Sequence, residues 1–548
     1  MDHRNVPFRS LLIGAGALAL VLSGCSAATE PPAENAHQLD FAQLATSTPA
    51  GTGEIADLKW NLPFEPSNID WTRPYNWAEP TVVANMCEGL FRYEPDFTVK
   101  PNLATKVDTP DELTYVITLR DGVKFWDGNP MTADDVVASL KRNEDPEVGS
   151  VFGKYFDNVA SITASGPLEV TVKMSRPDAT FMQAMSSAAG AVGEAAYLDK
   201  IGKQYGSPQG GAMCTGPFKF EEWKPGVSIT LTRNDDYWDQ SRAPKAKQIT
   251  FSFVSDESTA VNSLLSGEMD GAYFYTPPAG LSKLQQDPNG SVFLGRSMTF
   301  FSLVATAQDG VFADARVRNA LLKSLDRSAI AKTVFQGTAL PAKALTGPAY
   351  WGYSKDVFEQ AYQELPDSAA DIEGASKLIK EAGAEGKKVT IAASGSSTVH
   401  SQLASLIEAS GDAIGLDVEV KIVPVDKFGD LYNDPKAREG IDGFLTDWYG
   451  QIADPIDIYD LFAVEGGYNY INFMDEADRL STALATLDDA ERAKLVAEAQ
   501  VGVTANTPWL PLVDETNILY MNKKISGAVA SFAFVSTPWA ATIGAVEK

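Results

Sequence analysis

Between Asp447 and Pro455 the chain reads Asp-Trp-Tyr-Gly-Gln-Ile-Ala-Asp-Pro, which gathers two carboxylates, a carboxamide and two large rings into one short stretch. Side chains of these kinds recognise a solute. A carboxylate makes a strong charge-assisted bond to a desolvated cation, and flat aromatic faces suit peptide planes, apolar side chains and sugar rings. Sets that transform a solute are missing. The sequence holds no Gly-x-Ser-x-Gly elbow, no His-Glu-x-x-His and no phosphate loop. Gly383-Ala384-Glu385-Gly386-Lys387-Lys388 lacks the first glycine and the closing Ser or Thr of such a loop, so it reads as a turn. Ser397 and His400 are close in sequence, but nothing marks them as nucleophile and base. Acid pairs carry no weight in so acidic a chain. The expectation is a binding protein, not an enzyme.

His3 and His37 lie near the N-terminus, leaving His400 alone in the body, and no Cys pair has metal-ligand spacing. No metal site and no cofactor are expected.

The elements that must position the acidic, aromatic stretch alternate between strand and helix. Ile441 to Thr446 reads as a strand, placing the stretch at a strand end, where α/β proteins put ligand loops. Thr114 to Leu119 alternates like a half-buried strand. A helix follows from Thr132, with Asp135 placed for a capping box. Strands are expected at Val227–Thr232, Lys247–Val254, Val389–Ala393 and Val418–Val423. Helices are expected around Val261–Leu265, stopping at Gly267, and over Ala315–Phe335, His400–Ile414 and Asp488–Val503. The mixed order implies an α/β body that is not a simple Rossmann unit.

The N-terminus carries Arg4 and Arg9, then an uncharged apolar run from Leu11 to Leu22 that is too short to span a bilayer comfortably. It ends at Leu22-Ser23-Gly24-Cys25, which resembles a bacterial lipobox. Residues 1–24 are therefore expected to be a lipoprotein signal peptide, with Cys25 acylated and anchored to the membrane. Residues 25–54, rich in Ala, Thr, Ser and Pro, read as a flexible tether. The formal net charge of −27 excludes electrostatic attraction to nucleic acid or an anionic membrane surface. Cys87 and Cys214 remain as an even pair in an oxidising compartment, either disulfide-bonded or two buried thiols.

Read in order, the body resembles the solute-binding proteins of ABC importers of the peptide/nickel class, the oligopeptide- and dipeptide-binding family 5. The resemblance rests on Glu88-Gly89-Leu90 with Pro101-Asn102-Leu103-Ala104, and on Leu119 to Phe125 followed by Asp127-Gly128 and Thr132 to Val136. Thr215 to Phe218, Glu222-Trp223, Pro225-Gly226 and Arg233 to Trp238 continue it. Val317 to Leu321, Leu325-Asp326-Arg327, Glu381-Ala382-Gly383, Trp509 and Pro511-Leu512 complete it.

The resemblance implies a two-lobed, type II periplasmic-binding-protein-like fold with an inserted subdomain and a ligand cleft between lobes joined by a hinge. Residues 55–93, 214–296 and 510–548 would form lobe I, 94–213 its inserted subdomain, and 297–509 lobe II. The partners implied are a small solute, a peptide first of all, and ABC permease subunits with their ATPases, for an extracytoplasmic monomer. In the family block Trp, two residues, acid, two residues, acid, Pro, the first acid pairs with a peptide's α-ammonium. Here that position is Gln451, an amide that cannot neutralise a charge, with Asp447 or Asp454 the nearest help. Blocked or cyclic peptides and oligosaccharides become alternatives, as does a ligand-sensing role at the cell surface. Trp448 and Tyr449 match cleft positions, Tyr75-Asn76-Trp77 a segment that pairs with ligand backbone, Asp454 the second acid, and Phe152 an aromatic of the inserted subdomain. Glu88 reads as a structural acid with a fixed partner.

Overall fold

The computed structural model describes residues 39–306, 308–395 and 397–546, so the leader and Cys25 lie outside the described residues. Three sheets organise the chain. A seven-stranded sheet runs in the order Gly290–Gly295, Asn517–Asn522, Gly271–Phe274, Leu58–Leu62, Gln248–Phe253, Ser228–Arg233, Phe218–Lys224. Leu58–Leu62 pairs in parallel with both neighbours, and the other pairings are antiparallel. A six-stranded sheet runs Ala339–Pro341, Trp509–Glu515, Thr299–Ala305, Gly443–Tyr449, Lys388–Ser394, Asp417–Val423. A four-stranded antiparallel sheet is made of Ala104–Asp111, Thr114–Leu119, Glu169–Met174 and Val159–Gly166.

Local sequence accounts for most of these elements. Thr114–Leu119 alternates half-buried and buried along its length, as a strand with one solvated face must. Thr132 and Asp135 form the reciprocal capping box that opens the helix Ala133–Lys141. Gly267 ends Glu257–Ser266 in the left-handed conformation, where a side chain would be strained. One expected helix breaks in two. Ala315–Ser324 stops because Leu325 is extended, and Asp326 caps a second helix, Arg327–Thr333, by accepting from the Ala329 N–H at 2.9 Å.

The four-stranded sheet and one face of the six-stranded sheet each have an apolar core, and a larger core runs from the seven-stranded sheet to the other face of the six-stranded one. Ile391, Leu445 and Leu512 pack under Leu321, Ile379 and Leu403 on the six-stranded sheet, while Ile117, Val136, Val170 and Phe181 fill the core of the four-stranded one. Trp60, Phe251, Tyr273 and Trp539 centre the packing against the seven-stranded sheet. Cys87 and Cys214 are joined by a disulfide with Cα atoms 5.0 Å apart. Beside it Glu88 accepts hydrogen bonds from Thr215 Oγ1 at 3.0 Å, Tyr237 OH at 2.7 Å and Trp238 Nε1 at 2.9 Å. Glu88 thus clasps the two chain segments that the disulfide joins.

Two further details differ from the sequence reading. Residues 39–54 are not a free tether: Ala45, Ser47 and Gly53 bridge to Gly295, Val529 and Ala545, and Leu44 is buried. Single bridges along a sheet edge impose no periodicity, which is why the stretch looked structureless. Trp509–Glu515 lies whole in the six-stranded sheet, so the chain changes sheet at Thr516 and not between 509 and 510.

The chain passes between the two large sheets at residues 296–298 and again at Thr516. The flanking strands are neighbours on both sides, with Gly295 opposite Asn517 in one sheet and Phe300 opposite Asp514 in the other.

Candidate functional site

Tyr449 ends the strand Gly443–Tyr449 and is half-buried. Its ring meets Trp77 at 4.8 Å between centroids and Phe532 at 5.2 Å. Trp77 stands immediately before the helix Ala78–Val83 and stacks on Tyr275 at 4.2 Å with 19° between planes. Tyr275 follows a strand of the seven-stranded sheet, and Tyr449 belongs to the six-stranded one. An aromatic cluster thus joins the two parts of the molecule, with Trp77, Tyr275 and Tyr449 half-covered and Phe532 buried. Burial pushes the Tyr449 phenol up to about 12, with the Gln451 carboxamide hydrogen-bonded to it as the opposing influence.

The acids around the cluster differ in their partners. Glu79 is saturated, accepting from Ser67 N at 2.9 Å, Ser67 Oγ at 2.8 Å and Asn76 N at 3.0 Å. Asp447 is held above the usual carboxylate range by burial, eased by its own backbone and the Trp77 indole N–H. Glu515 is 4 % exposed, and neither of its carboxylate oxygens has a hydrogen-bond partner. Burial, and then the charge of Asp447, push Glu515 well above its ordinary value.

Past Tyr449 the chain turns sharply and is fastened to the region of the four-stranded sheet. Gly450 N donates to Tyr350 OH at 2.9 Å, and Gln451 N donates to Asp457 Oδ2 at 2.6 Å. Asp457 also accepts from Tyr155 OH and pairs with Lys154 Nζ at 2.8 Å; the same ammonium reaches Asp460 Oδ2 at 3.0 Å. Ala453 N donates to Tyr93 OH at 3.2 Å. Ile452 enters the core beneath the four-stranded sheet.

Of the residues singled out from sequence, the structure brings Trp77, Tyr449 and Gln451 together. Asp454 is elsewhere: it is fully buried and engaged by Arg492 Nε at 3.1 Å, Tyr353 OH at 2.9 Å and Gln183 Nε2 at 3.0 Å. With its oxygens taken it positions the turn instead of meeting a solute. Phe152 is 0 % exposed inside the core of the four-stranded sheet, because apolar packing claims it. Trp448 lies on the opposite strand face from Asp447 and Tyr449, against Tyr432, Tyr468 and Trp509. Tyr75 is 59 % exposed with its hydroxyl on Gly149 O, and neither it nor exposed Asn76 lies in a strand. Tyr275, Phe532 and Glu515 carry no sequence signal, since each joins the cluster through tertiary contact. Asp457 and Asp460 had one, an acid every third residue from Asp454.

Residues 98–470 match the bacterial extracellular solute-binding proteins, family 5 (middle). Among curated proteins, the glutathione-binding protein GsiB of Salmonella typhimurium is 28 % identical over 478 residues, 84 % of this chain and 90 % of its own length. GsiB of Escherichia coli (strain K12) is 26 % identical over 474 residues, with the same shares of 84 % and 90 %. The solved structure of AppA from Bacillus subtilis, in complex with a nonapeptide, superposes with a TM-score of 0.76 at 21 % identity, covering 90 % of this chain and 100 % of that one. AgaA from A. tumefacien R10, in complex with agropinic acid, gives 0.76 at 24 % identity over 90 % and 99 %. NikZ from Campylobacter jejuni, with Ni(L-His), gives 0.73 at 22 % identity over 87 % and 96 %. At these identities the structural likeness shows the fold, that of two-lobed periplasmic binding proteins with a cleft between hinged lobes.

Proposed function

Because the chain belongs to the family 5 bacterial extracellular solute-binding proteins of ABC importers, we propose that it captures oligopeptides or dipeptides in its interlobe cleft and delivers them to a permease with its ATPases. Members of the family are extracytoplasmic and deliver small ligands to such permeases. The observation that carries the reading is the meeting of Trp77 and Tyr449 at 4.8 Å, the first at the start of the helix Ala78–Val83 and stacked on Tyr275 beside the seven-stranded sheet, the second at the end of a strand of the six-stranded sheet. Contacts made from both lobes favour the closed form when a solute is present, and the importer can then tell loaded from empty. Trp77, Tyr449 and Gln451 would face the solute. Acylation of Cys25 would hold a monomer at the membrane.

Gln451 favours a second reading. Its amide serves the Tyr449 phenol and offers no negative charge, which suits a blocked or cyclic peptide or an oligosaccharide.

Thermal midpoints of the chain from Cys25 onward, taken with free peptides, N-acetylated peptides and oligosaccharides, separate the two. A solute that binds only the folded form raises the midpoint. Free peptides are expected to shift it. A shift with oligosaccharides alone removes peptides from the reading. For the anchor, Cys25→Ser is expected to release the protein from membranes, and retention of that variant overturns the lipid tether.

A further inference from the structure

The acids at the cleft are out of balance with the bases. Asp447 and Glu515 lie at the same end of the six-stranded sheet. Thr299 is opposite Tyr449, and Phe300 is opposite Asp514, which sets Glu515 in the same cross-strand row as Thr299 and Tyr449. Asp447, two residues before Tyr449, shares its face of the strand. The two carboxylates are close enough for the charge of one to act on the other. Among the described residues neither forms an ion pair, and both oxygens of buried Glu515 go without a hydrogen bond.

A buried carboxylate without a partner is costly and is retained in few places unless something arrives to pair with it. The Trp77 indole N–H meets Asp447, and Tyr449 shares its strand face; rings of this kind suit the site, since the faces of Trp and Tyr attract a desolvated cation. Resting on the cleft reading above, we propose that the solute carries a cationic group, and that Asp447 and Glu515 receive it against Trp77 and Tyr449. This pair supplies the negative charge that Gln451 does not. The group is an α-ammonium or a basic side chain, amine or guanidinium; both present the same charge and donors.

The test is calorimetric titration of the mature chain with matched solutes: trialanine, N-acetyl-trialanine, N-acetylated peptides ending in Lys or Arg, and neutral oligosaccharides. Cationic members are expected to bind at least tenfold tighter than their neutral counterparts. Binding by trialanine but not by blocked basic peptides assigns the α-ammonium, and the reverse assigns a side chain. Asp447→Asn and Glu515→Gln are each expected to erase the preference for charge. In the solute-free protein near neutral pH, each is expected to raise the thermal midpoint by removing an uncompensated carboxylate, whereas an acid kept for structure lowers it when changed. Neutral members binding as tightly as cationic ones overturn the cationic group and leave the cleft reading standing. Failure of every cationic member, or a lowered midpoint in both solute-free variants, also overturns it. The two readings fall together when no solute of either charge binds.

Discussion

Arg492 Nε lies 3.1 Å from Asp454 Oδ2, with the two side chains only 3 % and 0 % exposed. The pair fixes the start of the turn that carries Asp457 and Asp460 to Lys154 and Tyr155, and so joins the helix Asp489–Asn506 to the loop beyond Tyr449. Arg492→Leu leaves a carboxylate buried and unpaired. Loss of about 3–5 kcal/mol in urea unfolding is expected. Adding Asp454→Asn should return part of it, because the two changes share one interaction. Additive losses would show that the pair is not coupled.

Gly450 is needed for room. A Cβ there would sit 2.5 Å from Tyr350 Cε1 and 2.9 Å from Asp457 Oδ2. Gly450→Ala is expected to cost about 1–3 kcal/mol of stability, as forced overpacking does. It should also weaken solute binding by displacing Tyr449 and Gln451. Unchanged affinity in titration would separate this turn from the cleft.

Stability should fall as pH rises through neutrality. Burial raises Asp514 from 3.8 to about 7, opposed only by the Tyr362 hydroxyl. An acid whose folded value is raised stabilises the fold while protonated. Its contribution is complete below the unfolded value and is lost as pH climbs through about 7. Between pH 6 and 8 the loss from this one group is about 1 kcal/mol. Asp460, raised in the same sense by burial, adds to it. Chemical unfolding at the two pH values measures the slope, and Asp514→Asn is expected to flatten it. A slope unchanged in that variant would place the titrating group elsewhere.

The Cys87–Cys214 bond spans 127 residues of sequence. Closing so long a loop restricts the unfolded chain by roughly 4–5 kcal/mol in the loop-entropy picture. The double variant Cys87→Ala, Cys214→Ala is expected to unfold at clearly lower urea than the oxidised protein. The Glu88 clasp remains in that variant, so the fold should survive. An unaltered midpoint would mean that the reduced, unfolded chain keeps these segments together.

What could be read from sequence was whatever depends on neighbours along the chain. Thr132 and Asp135 announce their helix because a cap is a local bond, and Thr114–Leu119 announces its strand because one of its faces is wet. The break after Ser324 was missed because the apolar stripe from Val317 through Leu325 continues past it, while the signal for the break is the single cap Asp326. Trp509–Glu515 is buried at all positions and has no alternation to read. Nothing in it separates Glu515, which lacks a partner, from Asp514, which has Tyr362. At the candidate site the same limit holds. Motif order led to Trp77, Tyr449 and Gln451, but burial decided that Phe152 fills a core and that Asp454 is spent on Arg492.

The twin crossings at residues 296–298 and Thr516 bear on how much freedom the lobes have. Each crossing is short, and ladder pairs flank the two on either side, Gly295 with Asn517 and Phe300 with Asp514. Two adjacent connectors of fixed length behave like the paired pins of a door. Sliding or twisting would stretch one of them against its ladder, which leaves a single angle as the soft coordinate. A solute held between the lobes would therefore act chiefly on the rotation about these two crossings.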